Sequence, residues 1–71
     1  MKKDELAKLQ AYLRRTLGAP NLEVRAQPKK DDMAEVFAGD EFVGPLYRIV
    51  EDGETEYQFN VAILVEDLEV V

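Results

Sequence analysis

The side chains that could act as nucleophiles in this 71-residue chain are Thr16 and Thr55, together with its lysines and carboxylates. The sequence contains no serine, cysteine, histidine or tryptophan. It therefore lacks the usual nucleophiles and the side chain that titrates near neutral pH, and neither threonine has a recognisable base beside it. This composition argues against an enzyme.

Adjacent carboxylates are the remaining candidates for acid and base chemistry. They occur as four pairs, Asp31-Asp32, Asp40-Glu41, Glu51-Asp52 and Glu66-Asp67. Neighbouring side chains in a strand point to opposite faces, so only pairs in turns can converge, and acids are common in turns. The segment 51–56 lacks the spacing of a calcium loop, and the four glycines form no phosphate-binding motif. We expect no catalytic residue, no metal and no cofactor.

Charge is divided unevenly along the chain, whose net charge is −6. Residues 1–30 contain eight basic and three acidic side chains, whereas residues 31–71 contain twelve acidic side chains and one basic side chain, Arg48. The basic half offers five positions for RNA or another polyanion, namely Arg14, Arg15, Arg25, Lys29 and Lys30. Because the acidic half repels phosphate, weak polyanion binding is the alternative function and nucleic acid is not the favoured partner.

An amphipathic helix is predicted at the N-terminus. Its apolar stripe consists of Leu6, Leu9, Leu13 and Leu17. Asp4 is placed to accept hydrogen bonds from amides of the first turn, and Gly18 supplies the stop signal. The exposed surface of this helix is basic.

After Asn21 the apolar period changes to two, which predicts strands. The predicted strands cover residues 22–27, 33–38, 41–50 and 55–65. A two-residue turn at Gly39-Asp40 joins the second and third strands and pairs Phe37 with Phe42. Gly44-Pro45 interrupts the third strand, where we expect a bulge or an unpaired edge position.

Two registers compete for the hairpin that follows. A two-residue Asp52-Gly53 loop places Ile49 opposite Glu56, whereas a three-residue loop places Ile49 opposite Thr55 and Tyr47 opposite Tyr57. The three-residue loop matches apolar side chains and is preferred. Strand, turn and short helix all remain open for residues 64–71.

Together these elements predict an α+β fold, with one N-terminal helix packed on a four-stranded antiparallel meander (α-β-β-β-β), in a single small domain over residues 1–71. We expect five side chains to be buried together between helix and sheet: Leu9, Leu13, Val24, Phe59 and Val61. One helix covers only one face of such a sheet, so the other face is open.

The Gly39-Asp40 register places Phe37 and Phe42 on one face and Val36 and Val43 on the other. We take Val36 and Val43 as candidate protein-binding residues on an open face, which could meet a protein partner or a second copy. The last strand is a second place where another chain could pair. The favoured function is a non-enzymatic protein-interaction module that uses an open sheet face or the last strand.

Short motifs in order along nearly the whole chain carry a family resemblance. They are residues 11–15, 28–32, 39–42, 46–48, 52–54 and 62–64. In these motifs the chain resembles a short uncharacterised alphaproteobacterial family known only as a domain of unknown function. The resemblance implies a bacterial, cytoplasmic setting and no mechanism. A cytoplasmic location also agrees with the absence of any run near the roughly 18 apolar residues of a membrane span and of a secretory signal after Met1.

Overall fold

The computed structural model describes residues 1–69. Its elements are α1 (Lys3–Leu17), β1 (Leu22–Ala26), β2 (Met33–Ala38), β3 (Glu41–Glu51), β4 (Glu54–Phe59) and α2 (Val65–Leu68). The strands form one antiparallel sheet in the order β1-β2-β3-β4, and α1 packs on one face of it. The predicted α+β arrangement of one N-terminal helix on a four-stranded meander is confirmed.

The ends of α1 follow from its flanking residues. Gly18 adopts the left-handed conformation (φ 63°), which lets the next amide donate to the carbonyl of Arg14. The N-terminal cap is Lys2, and no side chain caps the helix. The expected capping bond of Asp4 is therefore wrong, because Asp4 already lies inside the first turn, where its charge complements the helix dipole.

The core lies between α1 and the sheet. Its buried side chains are Leu13, Leu22, Val24, Ala34, Val36 and Leu46. Val24 lies opposite Val36 in the β1–β2 register, so both point towards α1. The predicted burial of Leu13 and Val24 is confirmed, and Leu9 and Phe59 are half-buried against the same cluster. The predicted burial of Val61 is wrong, since its side chain is 53% exposed beyond the end of β4.

The first hairpin has the expected turn and a displaced bulge. Gly39 has a positive φ of 65° at the first loop position, and Phe37 pairs with Phe42. The next pair is Val36 with Gly44, so Val43 is an extra residue in β3. The irregularity thus begins one residue before Gly44-Pro45.

The second hairpin adopts the two-residue loop. Ile49 lies opposite Glu56, and both loop residues have positive φ, 51° at Asp52 and 79° at Gly53. The preferred three-residue loop is wrong. An Asp-Gly loop with two positive φ angles matches the twist of the flanking strands, and this local geometry outweighs the pairing of apolar side chains.

Beyond β4 the chain continues beside β3 for a short distance. The amide of Asn60 donates to the carbonyl of Pro45 at 3.0 Å, and that of Ala62 donates to the carbonyl of Val43 at 3.1 Å. The short helix α2 follows, which decides the question left open for the C-terminal segment. The last part of that segment, residues 70–71, lies outside the described residues.

Candidate functional site

The face of the sheet that points away from α1 is the candidate site, and we call it the open face. Alternation along the strands assigns six apolar side chains to it, namely Met33, Phe37, Phe42, Pro45, Tyr47 and Ile49. None of the elements described for residues 1–69 covers this face, whereas the opposite face carries the core.

Two phenylalanines form the aromatic part of the open face. The rings of Phe37 and Phe42 are 5.6 Å apart between centroids and inclined at 65°, an edge-to-face arrangement. Arg25 lies on β1, the strand on the other side of β2, and its guanidinium is 4.0 Å from the centroid of the Phe37 ring. Phe42 remains 48% exposed. The result is an ordered aromatic surface in contact with solvent.

Carboxylates surround this apolar surface. Those assigned to the open face by the strand register are Glu23, Glu35, Glu51, Glu54 and Glu56. The cation on the same face, Arg25, is already paired with Glu23 at 3.3 Å between Nε and Oε1. The face therefore has a negative potential that attracts cationic groups and repels phosphate.

The two edges of the sheet differ. At the β1 edge the amide of Val24 donates to Oε1 of Gln10 at 3.0 Å, and Nε of Arg14 donates to the carbonyl of Leu22 at 2.6 Å. Side chains of α1 thus occupy polar backbone groups that an incoming strand would need.

The β4 edge has no such cover in the described chain. Because the amide of Asn60 points towards β3, the alternation of an antiparallel ladder turns the backbone groups of Tyr57 and Phe59 outwards. One edge is therefore closed and the other is accessible.

A polar cluster ties the start of α1 to β3 and β4. Nη1 of Arg48 donates to both carboxylate oxygens of Glu5 at 2.9 and 3.0 Å, and the hydroxyl of Tyr57 donates to Oε2 at 2.6 Å. The hydrogen bond from Tyr57 lowers the pKa of Glu5, and the hydrogen bond and positive charge of Arg48 lower it too. The same Tyr57–Glu5 hydrogen bond raises the pKa of Tyr57. Both shifts move away from neutral pH, the opposite of what proton transfer at neutral pH requires. The cluster is suited to holding α1 on the sheet.

No group of three or more acidic side chains in residues 1–69 is arranged to hold a metal ion. In the same part of the chain, no helix has the length and apolar character needed to cross a membrane.

The predicted protein-binding pair does not form an open surface. Val36 is fully buried beneath α1, and Val43 is half-buried against the core. The expectation that Val36 is accessible is wrong because the β1–β2 register puts it on the same face as Val24, the face that α1 covers.

The five predicted polyanion-binding residues lie apart. Arg14 and Arg15 are in the last turn of α1, and Arg14 is engaged with Leu22. Arg25 lies on the open face over Phe37. Lys29 and Lys30 are in the connection after β1, at the other end of that strand. The fold does not bring the five into one patch.

Neither the Glu5–Arg48–Tyr57 cluster nor the aromatic part of the open face was predicted as a site from the sequence. The sequence does single out Arg48, because it is the one basic side chain of residues 31–71. The Phe37–Phe42 pair was found from the turn register, but nothing in its local sequence shows which face α1 covers.

The fold and surface define a small α+β protein with one helix on an antiparallel meander and an uncovered aromatic sheet face. Residues 5–67 match the model of the family described as Protein of unknown function (DUF3126), and the chain belongs to this family. Neither the curated proteins nor the solved structures contain a match.

Proposed function

We propose that this protein is a non-enzymatic protein-interaction module whose open face binds another protein. The observation that carries the proposal is the exposure of Phe42, 48%, beside Phe37 on a sheet face that no described element covers. Aromatic side chains are enriched at the centres of protein interfaces, where burying a large rigid ring costs little conformational entropy.

The carboxylates around this surface specify the chemistry of the partner. Glu35 and Glu56 border the apolar centre, and Arg25 is the basic side chain on the face. A surface with an apolar centre and a rim of lysine or arginine complements this arrangement. A second copy that presented the same face would bring like charges together, so the proposed occupant is a different, basic protein.

The test compares Phe42→Ala with Tyr12→Ala in the native cell. Tyr12 is the matched control because it is an aromatic residue of similar exposure, 53%, and it lies on α1, away from the open face. Cross-linking followed by quantitative mass spectrometry should recover one protein with the parent and with Tyr12→Ala. Phe42→Ala should reduce its recovery at least tenfold.

A second arm tests the charge of the partner. Glu35→Lys should weaken the purified complex relative to the parent. Increasing salt should weaken the complex of the parent, because salt screens the attraction between the acidic face and the basic partner. Equal recovery with Phe42→Ala and the parent, or a purified partner whose binding is unaffected by Glu35→Lys, would contradict the proposal.

We also propose a bacterial, cytoplasmic setting of alphaproteobacterial origin, which rests on the motif resemblance and on the cysteine-free sequence. Cell fractionation with an antibody to the native protein tests the location.

A further inference from the structure

We propose that residues 61–64, which we call the apolar run, form an antiparallel strand pair with the same residues of a second copy. This inference concerns the sheet edge and does not depend on the partner of the open face.

The apolar run is exposed and uncharged. The exposed fractions are 53% for Val61, 66% for Ile63 and 60% for Leu64. The β-branched residues at positions 61 and 63 favour an extended strand, and Leu64 has extended dihedral angles (φ −88°, ψ 153°). A short, uncharged segment of this kind gains from pairing with another strand.

The direction of the backbone groups fixes the register of the pair. The amide of Ala62 points towards β3, so those of Val61 and Ile63 point to the free edge. In an antiparallel pair centred on Ile63, the two Ile63 residues exchange hydrogen bonds across a two-fold axis. Ala62 then lies opposite Leu64 of the second copy, and the pair ends before α2 begins at Val65. Such an interface uses the same residues on both sides and closes at the dimer.

The distribution of charge favours the apolar run over β4 and the β1 edge as the site of self-association. Pairing through β4 itself would bring Glu54 and Glu56 of two copies together, and the β1 edge is occupied by Gln10 and Arg14. In a chain with a net charge of −6, the apolar run lets two sheet edges meet without opposing carboxylates.

The size of the interface sets its strength. Four residues from each copy are far fewer than the roughly 20 to 30 a side of a standard interface. We therefore expect a weak dimer, with a dissociation constant of about 10 to 100 µM. Raising the salt concentration should strengthen it because the repulsion between two acidic molecules is screened.

The experiment is sedimentation velocity on the purified chain from about 10 to 500 µM, a range that brackets this constant. The parent should show a reversible monomer–dimer equilibrium. Ile63→Lys and Ile63→Glu should each reduce the association constant at least tenfold, since each puts two like charges at the two-fold axis. Mixing the two variants should restore the dimer, because position 63 then faces its opposite charge.

Val50→Lys is the matched control, since Val50 is also an apolar residue of similar exposure, 63%, and lies in β3 outside the apolar run. It should dimerise like the parent. A parent that stays monomeric throughout, or a mixture of the two Ile63 variants that stays monomeric, overturns the inference. A dimer lost in Phe42→Ala and kept in Ile63→Lys also overturns it, because that result assigns self-association to the open face.

Discussion

At Gly44 the backbone of β3 closely approaches the backbone of the chain that follows β4. A Cβ added to Gly44 would overlap the carbonyl oxygen of Asn60 and come within 3.3 Å of Cα of Val61. Because the obstacle is backbone, no side-chain rotation relieves it. The absence of a side chain at position 44 therefore lets the chain after β4 stay against β3.

Gly44→Ala should lower the free energy of unfolding by about 1 to 3 kcal/mol, the usual range for overpacking a filled site. Urea denaturation followed by circular dichroism measures the change. Pro45→Ala is the neighbouring control: it adds an N–H opposite Asn60 and introduces no overlap, so it should unfold near the parent's midpoint. Equal midpoints for all three proteins would show that residues 60–61 do not lie against Gly44.

The Glu5–Tyr57 hydrogen bond should make stability depend on pH at both extremes. The pKa of Glu5 is lowered from 4.5, so its stabilising contribution is present above that value and is lost as pH falls through the folded-state pKa. The pKa of Tyr57 is raised from 10.0, so its contribution is present below that value and is lost as pH rises through the folded-state pKa.

Tyr57→Phe should therefore cost about 1 kcal/mol near neutral pH, the net value of a typical hydrogen bond, and less at either extreme. Thermal unfolding from pH 3 to pH 11, about one unit beyond each ordinary pKa, gives the profile. Tyr12→Phe serves as the control because the Tyr12 hydroxyl takes no part in this cluster. A Tyr57→Phe profile parallel to the parent's at every pH would show that the hydrogen bond contributes nothing.

At the scale of the elements, α1 is held by only part of its leucine stripe. Leu13 is 9% exposed and belongs to the core, whereas Leu17, in the last turn of the same stripe, is 55% exposed. The two residues therefore provide an internal comparison with identical chemistry.

Leu13→Ala should cost about 2 to 5 kcal/mol, which is enough to unfold most of so small a protein. Leu17→Ala should cost about 0.5 kcal/mol or less, as expected for a surface position. Thermal melts of both variants measure the difference. A Leu13→Ala protein that melts within a few degrees of Leu17→Ala would show that α1 does not pack through Leu13.

Features with local causes were predicted from the sequence. The leucine spacing and Gly18 gave α1 and its end, and Gly39-Asp40 gave the Phe37–Phe42 pair. The covered face was not predictable in the same way, because the β1–β2 register depends on the connection over residues 27–32, which is too long to fix it through a turn type. The aromatic site therefore became visible only with the fold.

The polar cluster was missed for a related reason. Glu5 is separated from Arg48 by 43 positions and from Tyr57 by 52. Their contact depends on the second-hairpin register, in which Tyr57 lies opposite Arg48, and the apolar match favoured the other register.

At the scale of the whole molecule, the distribution of charge predicts weak binding to nucleic acid. Arg14 and Arg15 lie at one end of β1, Lys29 and Lys30 at the other, and Arg25 among carboxylates on the open face. Fewer than five cations can then reach one phosphate backbone together, which lowers both the affinity and its dependence on salt.

Fluorescence titration with a generic RNA near physiological salt should give a dissociation constant weaker than about 10⁻⁵ M. Lys29→Glu with Lys30→Glu should change the signal little. Submicromolar binding with a steep salt dependence would contradict the arrangement of charge described above.

The sequential strand order also has a kinetic consequence. Each strand pairs with the strand next to it in the chain, so most of the sheet can form through short loop closures, and proteins with such local contacts fold quickly. The hydrogen bonds from Glu5 to Arg48 and Tyr57 join residues 43 and 52 positions apart, so they should form after the folding transition state. Tyr57→Phe should therefore accelerate unfolding in stopped-flow experiments and leave the refolding rate almost unchanged. The cluster thus affects the unfolding rate of the protein and leaves its folding rate almost unchanged.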